Sequence, residues 1–289
     1  EVRLKWLGRM ESWTNAIKEG KILLKGVSFQ HRKVPVPLSK IEGSLLLSPE
    51  QIRFDGLKGN LGESPLALSG SISRVEQKAG PGKWIAFQCS SSQMDLDPLF
   101  PKRDDATPTS FEGLRDLLSY WSFDGKVEID QGRYRSLHYR ELKAEMKTMD
   151  GRLVLHPFTL KADGGDLWGE GWIQPSENGI RFEIKPRLSN IEAKPFLRTF
   201  FRKGEEQRIL VTGRLHLDKV ELRGEGENFQ KAKESLNGRL RLEIEKGVIE
   251  RFNVLAKIFS ILNVSQFFKG RFPDLTTKGL PYHQIIANI

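Results

Sequence analysis

Residues 235–268 read SLNGRLRLEIEKGVIERFNVLAKIFSILNVSQFF and change periodicity at Gly247. From Arg239 to Glu245 apolar and charged residues alternate, with Leu240, Leu242 and Ile244 on one side and Arg239, Arg241, Glu243 and Glu245 on the other. That is the period of a half-buried strand, whose successive side chains point to opposite faces. Beyond Gly247, Phe252, Leu255, Phe259 and Leu262 recur at three- and four-residue steps, and Val254, Ile258 and Ile261 widen the stripe. The spacing predicts a helix that is apolar over most of its girth.

The same alternation recurs outward from this stretch. FDGKVEIDQGRY (123–134) places Phe123, Gly125, Val127 and Ile129 on one face and Asp124, Lys126, Glu128 and Asp130 on the other. GRLVLHPFTLKADGGDLWGEGWIQP (151–175) carries Leu153 and Leu155, and NGIRFEIKP (178–186) carries Ile180, Phe182 and Ile184. In RILVTGRLHLDKVELRG (208–224), Leu215 and Leu217 share one parity, while Val220 and Leu222 take the other. That slip predicts a bulge or turn near Asp218. Nearer the N-terminus, KILLKGVSF (21–29), KIEGSLLLS (40–48), QIRFDGLKGNLG (51–62), SPLALSGSIS (64–73) and KWIAFQC (83–89) are short β-leaning runs. Gly, Pro and Ser punctuate them as in an antiparallel meander. The recurring order of glycine, alternating strand, turn and alternating strand is a loose repeat, of the sort that grows in one dimension.

Helices are few and short. Trp6, Met10, Trp13 and Ile17 predict one within residues 1–19. After the linker-like PKRDDATPTS (101–110), Thr109 and Glu112 stand at capping-box spacing before the stripe Phe111, Leu114, Leu117, Leu118 and Trp121. AKPFLRTFF (193–201) and NFQKAKESLNG (228–238) read as two more. The expected fold is mainly β with several short α-helices: an elongated antiparallel sheet. The expected units are residues 1–106, β repeats behind an N-terminal helix, and residues 107–289.

Composition bounds the function. At 289 residues, 38% hydrophobic and 29% charged, the chain describes a folded protein with a sizeable core. Its single cysteine, Cys89, permits neither an intramolecular disulfide nor a cysteine metal cluster. No run of eighteen apolar residues is present, since Asn253, Lys257, Ser260, Asn263, Ser265 and Gln266 interrupt the best candidate. The chain opens at Glu1 inside a segment bearing Trp and Leu, which reads as a fragment with any leader or anchor upstream. The net charge of +9 is scattered rather than striped, which favours a solvated β surface or weak attraction to anionic lipid over nucleic acid.

No constellation predicts catalysis, and no cofactor is implied. DGGD (163–166) lacks the ligand spacing of a calcium loop and reads as a hairpin turn. His31, His138, His156, His216 and His283 are isolated from one another, so no metal is expected. No nucleophile elbow, phosphate loop or dinucleotide fingerprint is present. What remains is a sheet with one apolar face, which either closes on itself as a core or stays open as a groove.

Residues 236–285, LNGRLRLEIEKGVIERFNVLAKIFSILNVSQFFKGRFPDLTTKGLPYHQI, resemble the C-terminal region of the AsmA-like family. The marks are Gly238, Gly247, Leu262, Asn263, Gly270, Pro273, Asp274, Leu275, Gly279, Leu280, Pro281 and Tyr282. Residues 123–175 are similar more weakly, and residues 1–106 in style alone. The resemblance implies a piece of a long AsmA-, YhdP- or TamB-type periplasmic protein of a Gram-negative bacterium, anchored in the inner membrane by a segment absent here. It implies a sheet curled into a taco-like repeating groove that conducts phospholipid toward the outer membrane and continues past residue 289. On this view Val127, Ile129, Leu153, Leu155, Ile180, Phe182, Ile184, Leu215, Leu217, Leu240, Leu242 and Ile244 line the groove. Phe252, Leu255, Phe259 and Leu262 form a helix at its end. The expected partners are phospholipid acyl chains, membrane at the ends of the full-length protein, and unidentified envelope proteins. The alternative is a periplasmic scaffold whose apolar face is closed core.

Overall fold

A computed structural model of the chain describes residues 20–30, 36–77, 80–99, 110–199, 212–249 and 280–288. The helices expected at 1–19 and from Phe252 to Leu262 lie outside these residues.

The alternating runs become strands of one sheet. They are β1 (Gly20–Phe29), β2 (Leu38–Leu47), β3 (Gln51–Leu61), β4 (Ser64–Gln77), β5 (Gly80–Ser91), the two-residue β6 (Met94–Asp95), β7 (Trp121–Tyr134) and β8 (Leu137–Met149). There follow β9 (Arg152–Ala162), β10 (Gly165–Ser176), β11 (Gly179–Glu192), β12 (Arg214–Gly226), β13 (Asn237–Ile249) and β14 (Leu280–Asn288). Neighbours in space are neighbours in sequence throughout, except that β6 lies off the path beside β7. β1 and β14 are the two edges, so the sheet is curled but not closed into a barrel.

All neighbouring pairs are antiparallel save two. β5 pairs with β7 in parallel, from Lys83 with Trp121 to Ser91 with Ile129, and β6 pairs with β7 in the same sense. A parallel pair needs a crossover connection. Here the chain between β6 and β7 carries helix α1 (Glu112–Tyr120) back to the start of β7. Helix α2 (Ala193–Arg198) follows β11, and α3 (Phe229–Glu234) joins β12 to β13.

Because strands run across the sheet, their turns form two rims. Turns 150–151 and 177–178 lie on one rim with α1 and α3; turns 135–136 and 163–164 lie on the other with α2. α1 packs against β5, β7, β10 and β11. Its start is tied to the end of β12, where the Phe111 N–H donates to the Glu227 carbonyl at 2.7 Å. The cap differs from the Thr109 expectation, since Phe111 is the N-cap and the Ser110 Oγ accepts from the Glu112 N–H at 3.1 Å.

Mid-strand bulges bend the sheet. Gly26, Lys40, Gly56, Glu141, Asn190, Lys219 and Lys246 all have φ between 52° and 64°, each inside or near the end of a strand. At each of them except Lys246, past which the β13–β14 register runs on unshifted, the apolar parity slips by one. Leu137 and Tyr139 give way to Leu142, Ala144 and Met146 across Glu141, and Leu215 and Leu217 give way to Val220 and Leu222 across Lys219. An extra residue per strand keeps one face apolar while bending the strand and raising its twist. The slip expected near Asp218 is thus a bulge at Lys219, with the β12–β13 register shifting between Asp218 and Glu221.

A side chain in the left-handed region costs about 1 kcal/mol. Lys219→Gly is therefore expected to raise stability by about 0.5 kcal/mol after the entropy that glycine adds to the unfolded chain. The urea midpoint measures it, and a lower midpoint would assign the lysine side chain a supporting contact.

Candidate functional site

Residues directly paired across a sheet share a face, so register converts single strands into rows. One row runs Leu160, Leu167, Leu188, Leu217, Leu242 from β9 to β13, about 19 Å across. A second runs Leu155, Gly171, Ile184, Leu222, and a third Leu153, Ile173, Phe182, Gly224. Val127 and Ile129 join the same face through Ala144 and Leu142. Ile180, Leu215, Leu240 and Ile244 continue it by strand parity. The residues expected from the sequence to line a groove therefore all share one face of the sheet, termed the inner face.

That face is buried unevenly. Leu215, Leu240, Leu242 and Ile244 are core, with Ile244 at 0% exposure. Near the α2 rim, Met94, Ile129, Leu137, Tyr139 and Ala162 form a cluster roofed by Leu96, Leu99 and Phe196. The Tyr139 hydroxyl donates to the Met94 carbonyl at 3.1 Å, pinning β6 over the sheet. α2 is fastened to the β7–β8 turn, where Arg135 Nη1 donates to the Thr199 carbonyl at 2.6 Å and Ser136 Oγ to the Pro195 carbonyl at 3.2 Å. Away from that cluster the cover thins, although Ile180, beside the α1 rim, is 4% exposed. Leu153, Leu155 and Phe182 are half-buried, and Ile184 is 42% exposed.

Glycines shape the inner face. Phe87 lies opposite Gly125, Phe158 opposite Gly169, Phe182 opposite Gly224 and Tyr139 opposite Gly132. In each pair the aromatic ring occupies the space a Cβ would need: such an atom at Gly224 would sit 2.7 Å from Phe182 Cζ, and one at Gly169 2.8 Å from Phe158 Cε1. The rings consequently lie down over the neighbouring strand and pave the face.

The outer face is polar. Lys126 pairs with Glu145 at 2.9 Å and Lys147 with Asp124 at 3.2 Å across β7 and β8. The Arg187 and Arg152 guanidiniums stack on Trp168 and Trp172, 4.2 and 4.6 Å from the ring centroids. Glu183, 8% exposed, sits beneath Arg223 and Lys185. Burial pushes its carboxyl up, but hydrogen bonds from Lys185 and Arg223 outweigh that and hold it below the usual range.

This bent strand array matches the family model of the AsmA family over residues 47–276, well over half of the chain. The chain belongs to the AsmA family. No curated protein and no solved structure matches it. The family is associated with the bacterial envelope and is not known as enzymatic, and membership suggests a role connected with envelope lipid. The match begins at residue 47, so it takes in strands that resembled the AsmA-like family in style alone.

Other candidates within this AsmA chain reduce to structure. Among the described residues no group of His, Cys, Asp and Glu could hold a metal, and no helix is long and apolar enough to cross a membrane. DGGD is the β9–β10 hairpin turn, with Asp163 at φ 45° and Gly164 at φ 79°. His216 Nδ1 accepts from the Asn190 N–H at 3.3 Å, bracing the bulge. Phe252, Leu255, Phe259 and Leu262 lie outside the described residues. Missing from the sequence-based lining are Leu160, Leu167, Leu188 and Leu222, which complete the rows. Only Leu222 had an explicit parity signal.

Tyr139 gives the site a pH signature. Burial, with the Asp95 charge adding to it, pushes its hydroxyl from 10.0 up to about 12. A raised pKa means that the stabilisation is complete below the unfolded value and is lost as pH rises through the folded one. Stability is therefore expected to fall between about pH 10 and 12, by about 2 to 3 kcal/mol. Tyr139→Phe should remove that loss in urea titrations across this range; an unchanged pH profile would place the loss elsewhere.

Proposed function

We propose that the inner face binds the acyl chains of phospholipid and conducts the lipid through the periplasm between the inner and outer membranes. In this proposal membrane meets the ends of the full-length protein, and an inner-membrane anchor lies outside this chain. The carrying observation is Ile184: an isoleucine 42% exposed on the inner face while its neighbour Glu183, on the charged face, is 8% exposed. That inverts the usual preference and leaves apolar surface open inside the curl. An acyl chain gains about 0.8 kcal/mol for each buried CH₂ wherever the lining is apolar. Rows that continue from strand to strand repeat that gain at each step, so lipid can slide with little change in energy.

The closed burial of Ile191, Leu215 and Ile244 favours a second role near the α2 rim, a scaffold core that takes no ligand. A photo-crosslinking amino acid placed in cells separates the two. Placed at Leu153 or Phe182, on the inner face, it should capture phospholipid; at Arg152 or Arg181, on the outer face, it should capture little. Labelling at neither face in a folded protein would leave the scaffold role, and equal labelling at both would mean nonspecific contact.

A further inference from the structure

The two rims of the sheet are fastened unequally. At the α2 rim, the Tyr139 hydroxyl, the Asp95–Arg133 salt bridge and the bonds of Arg135 and Ser136 to α2 hold β6 and α2 in place over a core. Met94, Ala193 and Leu197 of those two elements are themselves buried. At the other rim lies α1. None of its residues is buried, and Leu117 and Tyr120 are 43% and 46% exposed. Its start is held to the sheet by backbone: Ser110 bridges to Asn228, and the Phe111 N–H donates to the Glu227 carbonyl.

α1 spans the curl as a chord spans an arc. Its start sits at the end of β12, and Tyr120 runs directly into Trp121, the first residue of β7. From β7 to β12 the sheet takes five strand spacings, about 24 Å. The nine residues of the helix cover about 14 Å. The helix therefore draws the two ends of that arc together across the rim, beside the half-buried inner-face row Leu153, Ile173 and Phe182.

We infer that α1 is a releasable strap: its start detaches from β12, it pivots on its junction with β7, and the rim opens to admit phospholipid to the inner face. This rests on the acyl-binding role proposed above. Segments that bury little and are tied by few bonds are the ones that open locally. Releasing α1 parts a backbone bridge and uncovers no buried residue of the helix itself, whereas the α2 rim opens only by unroofing its core. The α1 rim is thus the side that yields.

The test places cysteines at the bridge. Ser110→Cys and Asn228→Cys, combined with Cys89→Ser, face each other across an antiparallel pair, within disulfide reach. The full chain takes up nitrobenzoxadiazole-labelled phosphatidylethanolamine from dioleoylphosphatidylcholine vesicles, followed by fluorescence with the pair oxidised and again after dithiothreitol. The locked form should load and release lipid about tenfold more slowly than the reduced form, with equal final occupancy, because a gate changes rates and leaves affinity alone. Phe111→Pro lacks the N–H that reaches Glu227 but keeps the carbonyl that accepts from the Arg115 N–H at 2.8 Å, so it should load faster. If the cysteine pair fails to fold or to oxidise, the proline variant decides, with circular dichroism checking its fold. Equal rates in the oxidised and reduced forms, or lower occupancy at unchanged rates, overturn the strap and leave acyl binding standing. Unchanged loading by folded Phe111→Pro overturns it as well. No uptake by the unaltered chain overturns both the strap and the acyl-binding role.

Discussion

If the inner face binds acyl chains as proposed, Ile184→Asp is expected to cut phospholipid retained by the purified protein at least tenfold, with its unfolding midpoint nearly unchanged. Ile184 is exposed on the inner face, in the row Leu155, Gly171, Ile184, Leu222. The position is open to solvent, so an aspartate there keeps its hydration and costs under about 1 kcal/mol of stability. An acyl chain lying over it would strip that hydration without offering a partner, a penalty of several kcal/mol. A tenfold loss requires only about 1.4 kcal/mol, so the effect survives even where the chain detours around the charge. Arg181→Asp, on the outer face where Arg181 pairs with Glu225 at 3.1 Å, should leave lipid occupancy as it was. Undiminished lipid in folded Ile184→Asp would mean that no chain passes that row.

Gly132→Val is expected to cost about 3 kcal/mol or more of stability, from overpacking and a lost hydrogen bond. A Cβ at Gly132 would run into the Met94 carbonyl and the Tyr139 ring. The backbone carbonyl cannot yield without lifting β6 from β7, where Met94 pairs with Gly132 and Asp95 with Arg133. Lifting it would also part the Tyr139 hydroxyl from the Met94 carbonyl and loosen the salt bridge of Asp95 with Arg133 at 2.5 Å. Gly151→Ala is the control: a Cβ there meets nothing within 4 Å, so its cost is the left-handed backbone alone, about 1 kcal/mol. Similar urea midpoints for the two variants would mean that β6 is not a structural strap.

Much of the fold was legible because strand burial is a local, two-residue pattern. Val127 and Ile129, or Phe182 and Ile184, declare their face against the charges between them, and register confirms that they share it. The parity slip near Asp218 was legible for the same reason, as a bulge or a turn, and the register makes it a bulge at Lys219. The DGGD turn was legible because its backbone needs positive φ, which Asp and Gly supply. The parallel pairing of β5 with β7 was not legible, because alternation has the same period whichever way the neighbour runs. Nor were the rows, since Leu160, Leu167, Leu188 and Leu217 become a line only when three registers are set together.

Exposure marks the boundary between the two kinds of information. Ile180 and Ile184 stand on one strand with the same parity and side chain, yet the first is 4% exposed and the second 42%. The sequence alone determined that both face inward, because a charged residue stands between each inward pair and a pleated strand must turn them apart. Tertiary structure decided which part of that face is core and which is open. At the α2 rim the covering elements are β6 with Leu96 and Leu99 and helix α2 with Phe196; at the other rim, where Ile180 lies, helix α1 packs on β11, and all of them arrive from distant parts of the chain. Burial is the sum of such long-range contacts, and no local period records it.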